Sequence, residues 1–185
     1  MRKPFLALAL LFALAAPLAA ATLAGVALSD SVKVGDQTLV LNGMGLRTKY
    51  SFKVYVAGLY LAAKDKNAAA ILATDSPRRM VMHFVRGVGP EKICEGWDEG
   101  LEANTPNASA ELKKQFAQLC SWMPETEDGT EISLTYVPGT GTTVVSAGQS
   151  KGTIPGKSFA DALLACWIGP EPAPGADFKK AILGN

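Results

Sequence analysis

From Tyr50 to Leu61 the side chains alternate with a period of two: Tyr50, Phe52, Val54, Val56 and Tyr60 fall on one face, and Ser51, Lys53, Tyr55, Ala57, Leu59 and Leu61 on the other. A helix would scatter these apolar groups around its circumference, so the run predicts a long strand, apolar on both faces at its far end. Just before it, Gly43 and Gly45 lie two residues apart in Gly43-Met44-Gly45-Leu46-Arg47. They predict a break in the preceding strand, with Arg47 at the bend. That leaves two residues to explain: an arginine at a bend and Tyr55 inside a segment otherwise suited to burial.

Around this strand the other segments fall into place. Val32 to Leu41 reads as two short strands about a Gly35-Asp36 turn, and Arg78 to Arg86 as a strand carrying Met80, Met82 and Phe84 opposite Val81, His83 and Val85. Pro90 suits the first position of a helix whose apolar stripe is Ile93, Cys94, Trp97 and Leu101. Ser109 can cap a second helix with the stripe Leu112, Phe116, Leu119 and Cys120. Strands at Glu131 to Val137 and Thr142 to Ser146, and another around Thr153-Ile154, predict an antiparallel meander. Ser158 and Asp161 have the spacing of a capping box for a helix bearing Phe159, Leu163, Cys166 and Trp167, and a short last helix covers Ala176 to Leu183. Together these predict one α+β domain, an antiparallel sheet with helices packed on one face. The order of the strands is not legible in this pattern.

The N-terminus bears on location. Arg2-Lys3, an apolar run from Phe5 to Leu14 and Ala19-Ala20-Ala21 have the three-part form of a cleavable secretory signal peptide. Residues 1–21 are therefore expected to be removed and 22–185 to form the domain, periplasmic or secreted, with no stable membrane anchor after cleavage. Removing Arg2 and Lys3 takes the 18 basic residues to 16 against 17 acidic ones, a formal charge of −1 with no basic stripe for nucleic acid. Three cysteines, Cys94, Cys120 and Cys166, allow at most one bridge. Cys94 with Cys120 is a reasonable pair in an exported chain, and three buried thiols is the other reading.

Most enzyme chemistries lack their residues. The single histidine, His83, has no partners for a metal shell, no G-x-S-x-G elbow is present, and Gly139, Gly141, Gly148 and Gly152 belong to hairpin turns rather than to a phosphate loop. No cofactor or metal is expected. Asn107-Ala108-Ser109 fits a glycosylation acceptor, although Ser109 already serves as a cap. Arg47 and Tyr55 remain as candidate ligand-binding residues, because a guanidinium fork grips a carboxylate or phenolate bidentately and a phenolic hydroxyl adds a hydrogen bond. A small apolar, carboxylate-bearing ligand would suit such a pair. The plainer reading is a surface arginine and a tyrosine packed with its hydroxyl at the core edge.

On LNGMGLRTKYSFKVYVAGLYL (41–61), GPEKICEGW (89–97), TYVPGTGTTV (135–144) and KGTIPGKSFADALLACWIGPEP (151–172), the chain resembles the chalcone isomerase family, in particular its bacterial, exported chalcone-isomerase-like branch. The resemblance implies an open-faced β-sandwich, a large antiparallel sheet covered by a layer of helices with a ligand cleft between them. It also implies, in the enzymes, a cofactor-free intramolecular ring closure. The family's substrate-holding arginine falls on Arg47, but its strand threonine falls on Tyr55. Its tyrosine and asparagine near the first helix fall on Gly89 and Gly96, and a later Ser/Thr falls near Ala160.

Losing hydroxyl and amide donors of this kind removes preorganised stabilisation often worth ~2.7–4 kcal/mol each. Some relatives on the fold are non-catalytic fatty-acid binders in which an arginine and a tyrosine hold the carboxylate, and Arg47 with Tyr55 resembles that pair. Three readings therefore stand: a non-catalytic binder of a small apolar acid such as a fatty acid; an isomerase or intramolecular lyase acting on a phenolic or enone substrate; and an interaction protein with a vestigial cleft.

Overall fold

The computed structural model describes residues 20–185. The expected leader, apart from Ala20 and Ala21, lies outside the described residues. The chain forms β1 (Ala20–Leu23), β2 (Val26–Ser29), β3 (Ser31–Val34), β4 (Gln37–Lys49), β5 (Phe52–Leu61), α1 (Ala68–Ala73), β6 (Arg78–Phe84), α2 (Pro90–Asn104) and α3 (Ala110–Ser121). It continues through β7 (Glu131–Val137), β8 (Gly141–Ser146), β9 (Gln149–Ile154), α4 (Lys157–Ile168) and α5 (Ala176–Ile182). Strands β3 to β9 pair in chain order as one seven-stranded antiparallel sheet, the order that sequence pattern could not supply.

From Tyr55 onward the long strand behaves as its alternation requires; Val54, expected on the face of Val56, is the extra residue at the register shift beside Arg47 and packs with the helix-side core instead. On one face Tyr55, Ala57, Leu59 and Leu61 join the core beneath the helices, where Trp97, Phe116, Phe159 and Trp167 are buried. On the other, Val56 and Tyr60 pack with Val26 and Leu28 of the β1–β2 hairpin. That hairpin, hidden in sequence beside the leader, covers the second apolar face. Period-two alternation with both sets apolar is thus satisfied by two different covers.

Gly43 and Gly45 do not end β4, which continues through both to Lys49, although its pairing with β5 shifts register between Leu41 and Gly43. Their role is steric: a Cβ on Gly43 would lie 2.7 Å from the Ile182 carbonyl oxygen and 2.9 Å from the Gly184 nitrogen, and one on Gly45 would lie 2.8 Å from the Phe178 ring. The glycines leave a bare strip on which α5 lies directly. The chain bends later, at Tyr50 and Ser51, both left-handed with φ of 51° and 67°. Arg47 therefore sits within a strand rather than at a bend.

Helix starts divide the same way. Pro90 occupies the first turn of α2, and the Ser109 hydroxyl accepts from the Leu112 N–H at the head of α3, as their sequences predict. The expected capping box at Ser158 and Asp161 does not form: α4 begins after Gly156, without a side-chain cap. The Asp161 carboxylate instead accepts from Arg78 Nη2 at 2.5 Å and from Lys157 Nζ at 2.6 Å. A buried arginine from β6 is a stronger claimant on that carboxylate than a terminal backbone N–H.

Cys94 and Cys120 join α2 to α3 as a disulfide with their Cα atoms 5.5 Å apart, leaving Cys166 as a buried free thiol. Closing a loop of 26 residues limits the unfolded chain. Replacing both cysteines by serine is expected to cost about 2–4 kcal/mol in chemical denaturation, with the fold retained.

Candidate ligand cleft

Arg47 on β4 and Tyr55 on β5 are cross-strand partners, next to a register shift between Arg47 and Thr48. Directly opposed residues project to the same face, so hairpin register alone brings the two together beneath the helical layer. They line a cleft whose walls include Val54, Met82 and Phe84 from the sheet, Ile93, Gly96 and Trp97 from α2, and Trp167 from α4. The space between these side chains, including its open mouth, is about 440 Å³, of which about 50 Å³ admits the centre of a water molecule. The lining is apolar apart from Arg47, Lys92 and the Tyr55 hydroxyl.

Tyr55 is fixed from three sides. Its ring meets Phe84 and Phe178 edge-on, with centroids 5.5 and 6.2 Å away, and its hydroxyl oxygen accepts a 2.9 Å hydrogen bond from Trp167 Nε1. Because the indole N–H can only donate, the Tyr55 proton stays available for another acceptor. Burial pushes the phenol up to about 12, against the opposing pull of the Arg47 charge and the Trp167 hydrogen bond. At neutral pH Tyr55 is therefore a protonated donor beside a fixed cation.

The sign of this shift has a measurable consequence. A phenol whose folded pKa lies above its unfolded value stabilises the fold fully below pH 10, and that contribution is lost as pH rises through about 12. Tyr60 and Tyr136 are raised similarly, each chiefly by burial. Tyr55→Phe is expected to flatten part of the stability loss between pH 10 and 12 without abolishing it, as read by denaturation at stepped alkaline pH.

Arg47 donates from Nη1 to the Ala173 carbonyl oxygen at 2.8 Å, and a Cβ on Gly96 would stand 4.0 Å from its Nη2. One of five N–H donors thus ties down the loop between α4 and α5, among the described residues. The bare edge of Gly96 leaves room beside the fork. Ala173 itself donates from its backbone to the Cys166 carbonyl at 2.8 Å, so loop, helix and arginine hold one another.

Other expectations fare unevenly. His83 faces the side of β6 opposite Met82 and Phe84 and takes no part in the cleft. Of the positions where family side chains are replaced, Tyr55 and Gly96 line the cleft and Gly89 borders the groove at its mouth. Ala160 does not: it lines a separate small cavity beyond Trp167, with Arg78 and Tyr136. Cys166 reaches the cleft wall, but burial pushes its thiol up to about 12, so it is no nucleophile at neutral pH.

Sequence reasoning assigned Trp167 to the core and overlooked its second role. The signal was present, since a buried tryptophan N–H needs an acceptor and Tyr55 is a buried tyrosine with an oxygen to offer. The Ala173 carbonyl had no such signal. Among the described residues no cluster of three or more His, Cys, Asp or Glu side chains could hold a metal, and no helix is long and apolar enough to cross a membrane.

The family model for chalcone isomerase-like proteins matches residues 20–184. No curated protein matches the chain. Among solved structures, a fatty-acid binding protein of Arabidopsis thaliana superposes with a TM-score of 0.68 at 20% identity, covering 89% of this chain and 96% of its own.

Proposed function

This chain belongs to the chalcone isomerase-like family, and on that premise we propose that it is a non-catalytic binder of a small apolar carboxylic acid such as a fatty acid. One observation carries the reading: a permanent cation, Arg47, and a protonated donor, Tyr55, stand side by side in a cleft that is apolar but for them and Lys92. A carboxylate accepts two hydrogen bonds from the guanidinium fork and a third from the phenol, while the apolar tail lies against Val54, Met82, Phe84 and Ile93. The fold likeness to a plant fatty-acid binding protein supports the same ligand class.

The present cleft admits only a few waters, so an acyl chain must push side chains apart. Met82, unbranched and adaptable, is the residue best suited to yield. Native mass spectrometry of the purified full chain should reveal a co-purifying carboxylic acid. An empty protein whose fatty-acid affinity is untouched by Arg47→Ala would overturn the proposal.

A second reading uses the same donors: Arg47 and the Tyr55 proton can polarise a carbonyl or stabilise an oxyanion, as an isomerase or lyase requires. Turnover on a panel of chalcones and enones would favour it. The proposal also includes export, motivated by the leader-like residues at the N-terminus. Cleavage after Ala21 would leave Thr22 and Leu23 to pair with Ala27 and Val26. N-terminal sequencing of exported protein should start at Thr22.

A further inference from the structure

The tip of the β4–β5 hairpin is built against ordinary preference. Tyr50 and Ser51 both take left-handed backbone, a conformation in which a bulky tyrosine is an outlier and for which asparagine and glycine are the usual choices. The strained turn holds up two aromatic side chains: Tyr50 is 87% exposed and Phe52 60% exposed, while the large hydrophobics of the core are buried. An outlier retained at an exposed tip calls for a role outside folding.

Cations surround these rings. Arg86 lies over the Phe52 ring, 4.7 Å from its centroid, and Lys49 is the cross-strand partner of Phe52. Together with Arg47 and Lys92 they line an open groove at the mouth of the cleft, sharing Arg47, Val54, Val88 and Lys92 with it. Carboxylates are fewer here: Glu95 pairs with Lys92 at 2.8 Å, and Glu91 and Glu125 stand near Gly89 at the groove's edge. Lys49, Arg86 and Arg47 make no ion pair among the described residues.

From this geometry we infer that the β4–β5 tip and the cationic rim are a docking surface for an anionic lipid bilayer, turned so that the cleft opens onto the membrane. Exposed tyrosine and phenylalanine settle at the headgroup level, and lysine and arginine beside them meet lipid phosphates. Arg86 stacked on Phe52 delivers both in one unit. Continuity of the groove with the cleft would give an apolar acid a path from bilayer to Arg47 without crossing open water. The docking surface extends the fatty-acid reading but stands on its own residues.

Co-sedimentation of the full chain with vesicles tests it, using phosphatidylcholine alone and phosphatidylcholine containing one-third phosphatidylglycerol. Binding is expected to the mixed vesicles at low salt, and little to the neutral ones. The exposed double substitution Tyr50→Ser/Phe52→Ser should lower partitioning about ten-fold, and Lys49→Glu about five-fold or more. Both variants should keep wild-type fatty-acid affinity in lipid-free solution. Failure of the cleft ligand therefore shows in that solution assay, and failure of docking in the vesicle assay. Equal binding to both vesicle types, no binding to either, or unchanged vesicle binding by the double variant would each overturn the inference.

Discussion

Arg47→Ala is expected to weaken binding of a long-chain carboxylate by about 2–4 kcal/mol, roughly thirty-fold to several-hundred-fold, because a ligand charge brought into an apolar cleft loses its counter-charge. Arg47→Lys should lose less, keeping the charge but not the two parallel N–H donors. The interpretation needs a control, since Arg47 also holds the Ala173 carbonyl and its removal loosens the loop. Comparing a fatty acid with its methyl ester separates the two effects. A loosened loop lowers affinity for both, whereas loss of charge recognition collapses the preference for the acid. If Arg47→Ala leaves the acid-to-ester ratio at the wild-type value in competition binding, Arg47 is not the anchor.

The second large effect concerns stability. Asp161→Asn is expected to cost about 3 kcal/mol of unfolding free energy, read by chemical denaturation, because Arg78, with a side chain only 5% exposed, would keep its charge without a carboxylate. Asp161 is 30% exposed, so water offsets part of the loss and the cost stays at the low end for buried pairs. What would remain for Arg78 is the Tyr136 ring, 4.9 Å from the guanidinium carbon, and a 3.4 Å hydrogen bond to the Ile71 carbonyl. Replacing both partners, Arg78→Met with Asp161→Leu, should recover most of the loss, since an apolar pair needs no compensation. A double variant as unstable as Asp161→Asn would show that shape rather than charge sets the penalty.

Which features could be read in advance follows from how local their causes are. The β5 strand, the Pro90 start of α2 and the Ser109 cap of α3 were legible because alternation and capping are settled within a few residues. Arg47 and Tyr55 were findable because one hairpin carries both. Gly43 and Gly45 misled because their cause lies at Phe178 to Gly184, more than 130 residues along the chain. Asp161 misled for the same reason, having the spacing of a cap but a distant arginine to serve. The β1–β2 hairpin was hidden because a leader tail and a short strand share small, apolar residues.

The bare glycine strip on β4 also has a consequence in time. Its occupant, α5, is made last: Asn42 donates to the Ile182 carbonyl at 3.1 Å across 140 residues of sequence. At ordinary synthesis rates that gap is about 7 to 28 s. Through that interval β4 carries an unfilled groove and Tyr55 lacks the Phe178 ring, so the sheet can form its hairpins but cannot finish its site. Completion of this domain is thus held until its final helix emerges, and a chain shortened to end before Ala176 should remain in the unfinished state.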